Sequence, residues 1–313
     1  MTGYLIRRLL QLIPVVLVVS LVLFLLLRLM PGDPTLDILG HEASAADRAA
    51  LRTDLGLDAP LWRQFTDWIG GIFHGNLGSS WLTGEKIGAV LGDRLPATAE
   101  LGVISLAFAL LVGVPAGVLA AVKRRGPTGT ALNSAGLAAL SAPHFYLAAL
   151  LVLVFALWLK VLPPSGYVPF TEDPVENLRH MVLPAVTIGS TIAAVTMRQT
   201  RAALLASFNE DYIRTAEASG LSRRRIVGVY ALRNAIVPVV TVVALQIGAL
   251  MSATVVTETV FTVPGMGTLI VNGIFSRDLP VVQGAVLMVV VFVLLVNLLA
   301  DLVYAWLDPR ITY

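Results

Sequence analysis

Asp211-Tyr212-Ile213-Arg214-Thr215-Ala216-Glu217-Ala218-Ser219-Gly220-Leu221 stands inside a charged interruption, residues 198–233. The interruption separates two uncharged apolar runs, residues 181–197 and 235–257. Each run is long enough to cross a hydrocarbon layer of roughly 30 Å, which takes about 17–25 helical residues. The stretch between them reads as an amphipathic helix. Ser207-x-x-Glu210 has the spacing of a capping box, in which each side chain bonds the other residue's backbone amide. Phe208, Tyr212 and Ala216 follow at i, i+4 and i+8 and share one face. Glu210, Arg214 and Glu217 share another face and can pair along it. Gly220 is the expected left-handed stop, and Ser222 can cap a second short helix carrying Arg223, Arg224 and Arg225. A chain that only turns back toward the membrane has little need of such a helix. Two readings stand on the residues alone. One is a docking element, with Phe208, Tyr212 and Ala216 as its face and small Ala216, Ala218 and Ser219 leaving room for another surface. The other is a solvated loop whose arginines satisfy the orientation rule and touch lipid headgroups, which composition by itself favours.

Outward from this loop the same alternation recurs. Further uncharged runs occupy residues 9–27, 101–122 and 279–300, and one more lies within 126–159. The chain is 57% hydrophobic and 13% charged, with a mean hydropathy of +0.81; soluble domains carry about 25% charge and about 45–50% apolar residues. Lipid offers no partner to a bare backbone amide, so each crossing must be helical. The fold class expected is an all-α membrane protein of about six transmembrane helices. Arg7, Arg8, Lys123, Arg124, Arg125, Arg310 and the arginines of residues 198–233 gather on one side, which the positive-inside rule makes cytoplasmic, with both termini inside. The first run is too long for a signal-peptide core and no Ala-x-Ala site follows; Met30-Pro31-Gly32-Asp33-Pro34 reads as a stop and a turn. Residues 1–30 therefore form a first span, 31–96 an external segment, 97–307 the membrane core and 308–313 a cytoplasmic tail.

Within the external segment, Ser44-x-x-Asp47 can cap a helix bearing Leu51 and Leu55, and Asp58-Ala59-Pro60 can open a second one bearing Trp62, Phe65, Trp68, Ile69 and Phe73. Gly113 and Gly117 are spaced for close helix packing, and Pro115 and Pro184 fall inside spans as kink sites. Polar groups in or near spans are Gln246, Glu258, Asn297 and Asp301; Asn297 and Asp301 share one helix face, and Glu258 is the pathway candidate nearest the external mouth. No phosphate-cradling Gly-x-x-x-x-Gly-Lys-[Ser/Thr] loop, His-Glu-x-x-His pair or Gly-x-Ser-x-Gly elbow occurs. Cys is absent, which removes thiol chemistry and Cys-ligated zinc. A net charge of +2 gives no argument for nucleic acid. An embedded enzyme would need clustered titratable groups in the spans, and a sensor a cytoplasmic domain; neither pattern is present.

Glu217-Ala218-Ser219-Gly220, followed by Ile236 and Pro238, resembles the Glu-Ala-Ala…Gly…Ile-x-Leu-Pro loop of ABC importer permeases, with Ser219 and Val237 as departures. The likeness runs nearly end to end. It takes in Leu55-Gly56-Leu57-Asp58-x-Pro60-Leu61, Gly75-Asn76-Leu77-Gly78-Ser79 and Arg94-Leu95-Pro96-Ala97-Thr98. It continues through Ala231-Leu232-Arg233-Asn234-Ala235, Glu258-Thr259-Val260-Phe261-x-x-Pro264-Gly265-x-Gly267 and Arg277-Asp278-x-Pro280-x-x-Gln283. The subfamily resembled is the first permease subunit of the dipeptide/oligopeptide/nickel, binding-protein-dependent group, which serves peptides, nickel chelates and glutathione. The resemblance implies a type I ABC importer transmembrane fold in a bacterial or archaeal plasma membrane. It implies no catalysis and no cofactor in this chain, ATP and Mg being bound by two partner ATPases, and it adds a second permease and an external binding protein as partners. Phe208, Asp211, Tyr212, Arg214, Thr215, Ala216, Glu217, Ala218, Gly220 and Leu221 would form the coupling helix at the ATPase. Pro264, Gly265, Gly267, Gln246, Glu258, Asn297 and Asp301 are then structural or pathway candidates.

Overall fold

The computed structural model describes the backbone of residues 2–29, 32–40 and 42–307, and side chains in those ranges except at 2–6, 9, 37 and 300–307. Met30 and Pro31 of the expected turn, the Asp301 side chain and the tail at 308–313 lie outside the described residues. The chain is helical: α1 (Thr2–Arg28), α2 (Pro34–Leu39), α3 (Ala45–Asp54), α4 (Leu61–Phe73), α5 (Ile87–Val122), α6 (Pro127–Ser141), α7 (His144–Leu151), α8 (Pro174–Ser207), α9 (Asp211–Ala218), α10 (Arg223–Arg225), α11 (Leu232–Phe261), α12 (Met266–Phe275) and α13 (Leu279–Leu307). Helix α7 continues as a π-helix, Val152–Trp158, and α10 as another, Ile226–Ala231. Among the described residues the sole β pairing is an isolated bridge between Ser79 and Lys86.

Among the described residues, five helical stretches are long and apolar enough to cross a membrane: Leu10–Arg28, Ile87–Val122, Pro174–Ser207, Arg223–Phe261 and Leu279–Leu299. The run within 126–159, expected to hold one span, consists of two helices that meet at 111°; the bent pair taken as one crossing makes a sixth span. Pro143 explains the break: its ring disfavours the helical region for the residue before it, and Ala142 is extended (φ −78°, ψ 125°). The shortest run expands on both sides into α8. Asp173 caps it by accepting from the Val175 and Glu176 amides (both 3.0 Å), with Pro174 at the first position.

The chain divides into two compact units, residues 1–98 with 264–294 and residues 99–263 with 295–313. In the first, Ser44 caps α3 as expected, accepting from the Asp47 amide (3.1 Å). Asp58 does not cap α4; it accepts from Arg52 Nε and Thr53 Oγ1 (2.9 Å each), and Pro60 takes the capping position without a side-chain bond. Phe65 and Trp68 pack on Phe24 of α1, with centroids 5.4 and 6.3 Å away, leaving Trp62 and Phe73 exposed. Ile87 and Leu91 of α5 form a core with Met266, Val281 and Ala285. Buried Asp278 accepts from the Ser80 hydroxyl and from the Trp81 amide (3.2 Å), tying the 75–86 segment to the start of α13.

The second unit is built around α8, which packs against α6, α7 and α11. The small residues of α5 serve close approach: a Cβ on Gly113 would stand 2.7 Å from the Ala193 carbonyl oxygen, and one on Gly117 2.6 Å from Thr200 Cβ. Neither neighbour has room to yield, so both positions require glycine for packing.

Candidate functional site

The loop between α8 and α11 is a packed structure. Ile213 and Ala216 of α9 are buried with Ala121 of α5, Leu204 of α8, Ile226 and Ala231 of the π-helix, and Ala235 of α11. Phe208 and Leu221 close this cluster from the two ends of α9. One short helix thus rests on the ends of three long ones. Asp211, Tyr212, Arg214, Thr215, Glu217 and Ala218 point away from the cluster and are exposed.

This geometry corrects the expected docking face. Ala216 is 5% exposed and Phe208 packs inward, whereas Tyr212 is exposed, so the three do not form one free face. An apolar stripe is stabilised by burial against the nearest apolar surface, and here that surface is the chain's own spans. The expected capping box is also absent. Ser207 is the buried last residue of α8, and Glu210 precedes α9 without a side-chain capping bond. Arg214 pairs with Asp211 (3.2 Å) rather than Glu210, and both side chains are so exposed that the pair adds little stability. Ser222 likewise makes no side-chain cap; α10 starts from it through backbone bonds.

The end of α9 is as expected. Gly220 is left-handed (φ +74°). Its amide donates to the Glu217 carbonyl (3.0 Å), and the Leu221 amide donates to the Ala216 carbonyl (3.3 Å). These are the two bonds of a Schellman stop, whose accompanying apolar contact here is Leu221 in the same cluster as Ala216.

The remaining described candidates lie on α11, α12, α13 and the 262–265 turn. Glu258 is fully buried in α11, so it lines no solvent-open pathway in this conformation; its carbonyl accepts from the Val263 amide (2.9 Å). Gln246 and Asn297 are half-buried on α11 and α13. Pro264 and Gly265 lead into α12, where Gly267 is buried and the Met266 amide donates to Thr98 Oγ1 (2.7 Å). This last bond joins two of the motifs quoted above.

Sequence reasoning missed Tyr167. Its hydroxyl donates to Glu100 Oε2 (2.9 Å), and burial first, then the Glu100 carboxylate, pushes its pKa up to about 12. The nearby Gly166 amide donates to the Phe261 carbonyl (2.8 Å), and the Asn177 side-chain amide to the Val168 carbonyl (2.8 Å). The connection before α8 is therefore fastened to three helices. Nothing in its local spacing signals the bonds to Glu100 and Phe261, because those partners are distant in the chain.

Comparison with known proteins bears on this arrangement. Residues 113–313 match the family model described as binding-protein-dependent transport system inner membrane component. Residues 1–102 match the model of the N-terminal part of such components. Along its whole length the chain is 38% identical to the dipeptide transport system permease protein DppB of Escherichia coli K12, covering 99% of that protein. It is also 38% identical, over 99% of that protein's length, to the di/tripeptide transport system permease protein DppB of Pseudomonas aeruginosa UCBPP-PA14. An inward-facing structure of the MetNI methionine ABC transporter superposes with a TM-score of 0.58 at 18% identity, over 70% of this chain and 96% of that one; this likeness concerns the fold. A multi-span helical chain with a short helix seated on the ends of its spans, matched from residue 1 to residue 313, belongs to the binding-protein-dependent transport system inner membrane components.

Proposed function

We propose that this chain is the permease subunit of an ATP-driven importer of peptides, with α9 as its coupling helix. The observation that carries the reading is the placement of α9. Its buried residues Ile213 and Ala216 sit on the ends of α5, α8 and the π-helix leading to α11, while its other side is exposed. A push on the exposed side is passed to several spans at once, because a packed core moves as a body rather than yielding locally.

In this reading Asp211, Tyr212, Arg214, Thr215, Glu217 and Ala218 meet a partner ATPase, and Phe208, Ala216 and Leu221 anchor the helix to its own spans. The loop, residues 198–233, faces the cytoplasm, as do both termini; residues 31–96 face outward, where a substrate-binding protein docks. Two ATPases bind ATP and Mg, and a homologous permease supplies the other half of the pathway through residues 97–307. Peptide is the substrate class because it is named for both full-length relatives. The chain performs no chemistry itself.

The absence of Cys makes a direct test simple. Thr215→Cys and Ala218→Cys, each the only thiol of the chain, should cross-link to the ATPase subunit in the assembled transporter. Ala216→Cys, buried in the cluster, should not. Equal labelling at all three positions, or none at the exposed ones, overturns the assignment.

A further inference from the structure

A cavity of about 340 Å³ lies in the first unit at the end of α1. Leu25, Leu27, Leu57, Leu61 and Leu279 give it apolar walls, and Arg28, Arg52, Gln64 and Arg277 its polar lining. Arg28 lies over the rings of Phe24 and Trp81 (5.4 and 6.0 Å to the centroids), yet its Nε is buried and donates to nothing. Gln64 Oε1 is also buried without a donor, although its amide nitrogen donates to the Leu57 and Ala59 carbonyls (3.2 and 2.7 Å). Among the described residues, Asp58 at 2.9 Å and Asp33 at 3.6 Å both hold Arg52. The Arg277 guanidinium fills the space that a Cβ on Gly32 would need, so glycine at 32 lets that group reach the cavity.

Three guanidinium groups thus line one small space, and the described residues give Arg28 no carboxylate. A half-buried cation with an unused donor is costly unless an anion completes it. Guanidinium forks match the oxygens of a phosphate or carboxylate in geometry as well as charge. The surroundings choose between such anions. Helix α1 leaves the cavity as a membrane-length apolar rod. Its Leu29, Leu26, Val22 and Val18 are 78%, 60%, 49% and 60% exposed. An ion without a tail would leave the leucine walls and this stripe unmatched, whereas a ligand with an anionic head and acyl chains covers both.

We propose that this cavity binds the phosphate of an acidic phospholipid, with Arg28 as the principal contact and the acyl chains laid along α1. The site lies at the end of α1 opposite Arg7 and Arg8, in the leaflet facing the external segment. It depends on α1 crossing the membrane and not on the transport reading, so either can fail without the other.

The test is thermal unfolding of the full chain in a non-ionic detergent, titrated with phosphatidylglycerol, phosphatidylcholine or inorganic phosphate. Phosphatidylglycerol should raise Tm saturably, and the other two should not. Arg28→Gln should weaken the apparent affinity about tenfold, the scale of one lost charge-assisted bond. Arg28→Lys should weaken it less. Arg63→Gln, which removes an exposed charge outside the cavity, should leave it unchanged. Equal stabilisation by phosphatidylcholine, or by inorganic phosphate alone, overturns the proposal, as does a loss in Arg63→Gln equal to that in Arg28→Gln. Should Arg28→Gln fail to fold, native mass spectrometry of the wild-type chain decides: phosphatidylglycerol retained about tenfold over equimolar phosphatidylcholine supports the site, and no preference refutes it.

Discussion

At the scale of single residues, Gly220 separates backbone from side-chain demands. A Cβ built there meets nothing within 4 Å, so what excludes other residues is φ +74° and not space. A non-glycine residue in that region costs about 1–2 kcal/mol, and a β-branched one is worse. Gly220→Val should therefore lose most transport and substrate-stimulated ATPase activity in reconstituted vesicles, with membrane insertion intact. Gly220→Asn, which tolerates the left-handed region, should keep at least half. Unchanged transport in Gly220→Val would remove the stop from the coupling mechanism. Gly220 was legible because a helix stop is a local event, a conformation that one residue type adopts cheaply. Ser207 was misread for the converse reason: its spacing to Glu210 is that of a cap, but α8 extends through it and buries it.

At the scale of elements, α9 shows what periodicity can and cannot say. The spacing placed Phe208, Tyr212 and Ala216 on one face; Phe208 and Ala216 pack into the cluster, and Tyr212 is exposed. Which side meets a partner depends on what else needs covering, and the ends of α5, α8 and α11 claimed this one. Ile213, absent from the expected face, is 2% exposed and sits deeper in the cluster than Ala216, the other buried side chain of α9. Ile213→Ala leaves a cavity under the helix and should cost about 2–5 kcal/mol of local stability. Amide hydrogen exchange in residues 211–221 should then quicken by at least tenfold, and ATP hydrolysis should lose its coupling to transport. Exchange as slow as in the wild type would show that α9 is held by something other than this core. Pro143 illustrates the other direction: the run within 126–159 is free of acidic, Lys and Arg residues throughout, yet one proline divides it into two helices.

At the scale of the whole molecule, the two units each hold their own core, and residues far apart in the chain complete each one: Ser80 with Asp278, Thr98 with Met266, Glu100 with Tyr167. No part of this arrangement supplies the phosphate-cradling loop that nucleotide hydrolysis needs. Purified without partners, the chain should hydrolyse ATP no faster than the detergent blank; activity that co-purifies through successive columns and survives removal of contaminating ATPases would overturn the division of labour.

The sequence by itself determined that this is a helical membrane protein, because an uncharged run in lipid can satisfy its amides only within a helix. It also determined where the loop helix ends and, through a long ordered set of motifs, which family it resembles. The tertiary structure alone decided which side of α9 is free, that Glu258 is closed from solvent, and that Tyr167 fastens to Glu100. Those outcomes depend on burial against partners many residues away, and local spacing carries no record of them.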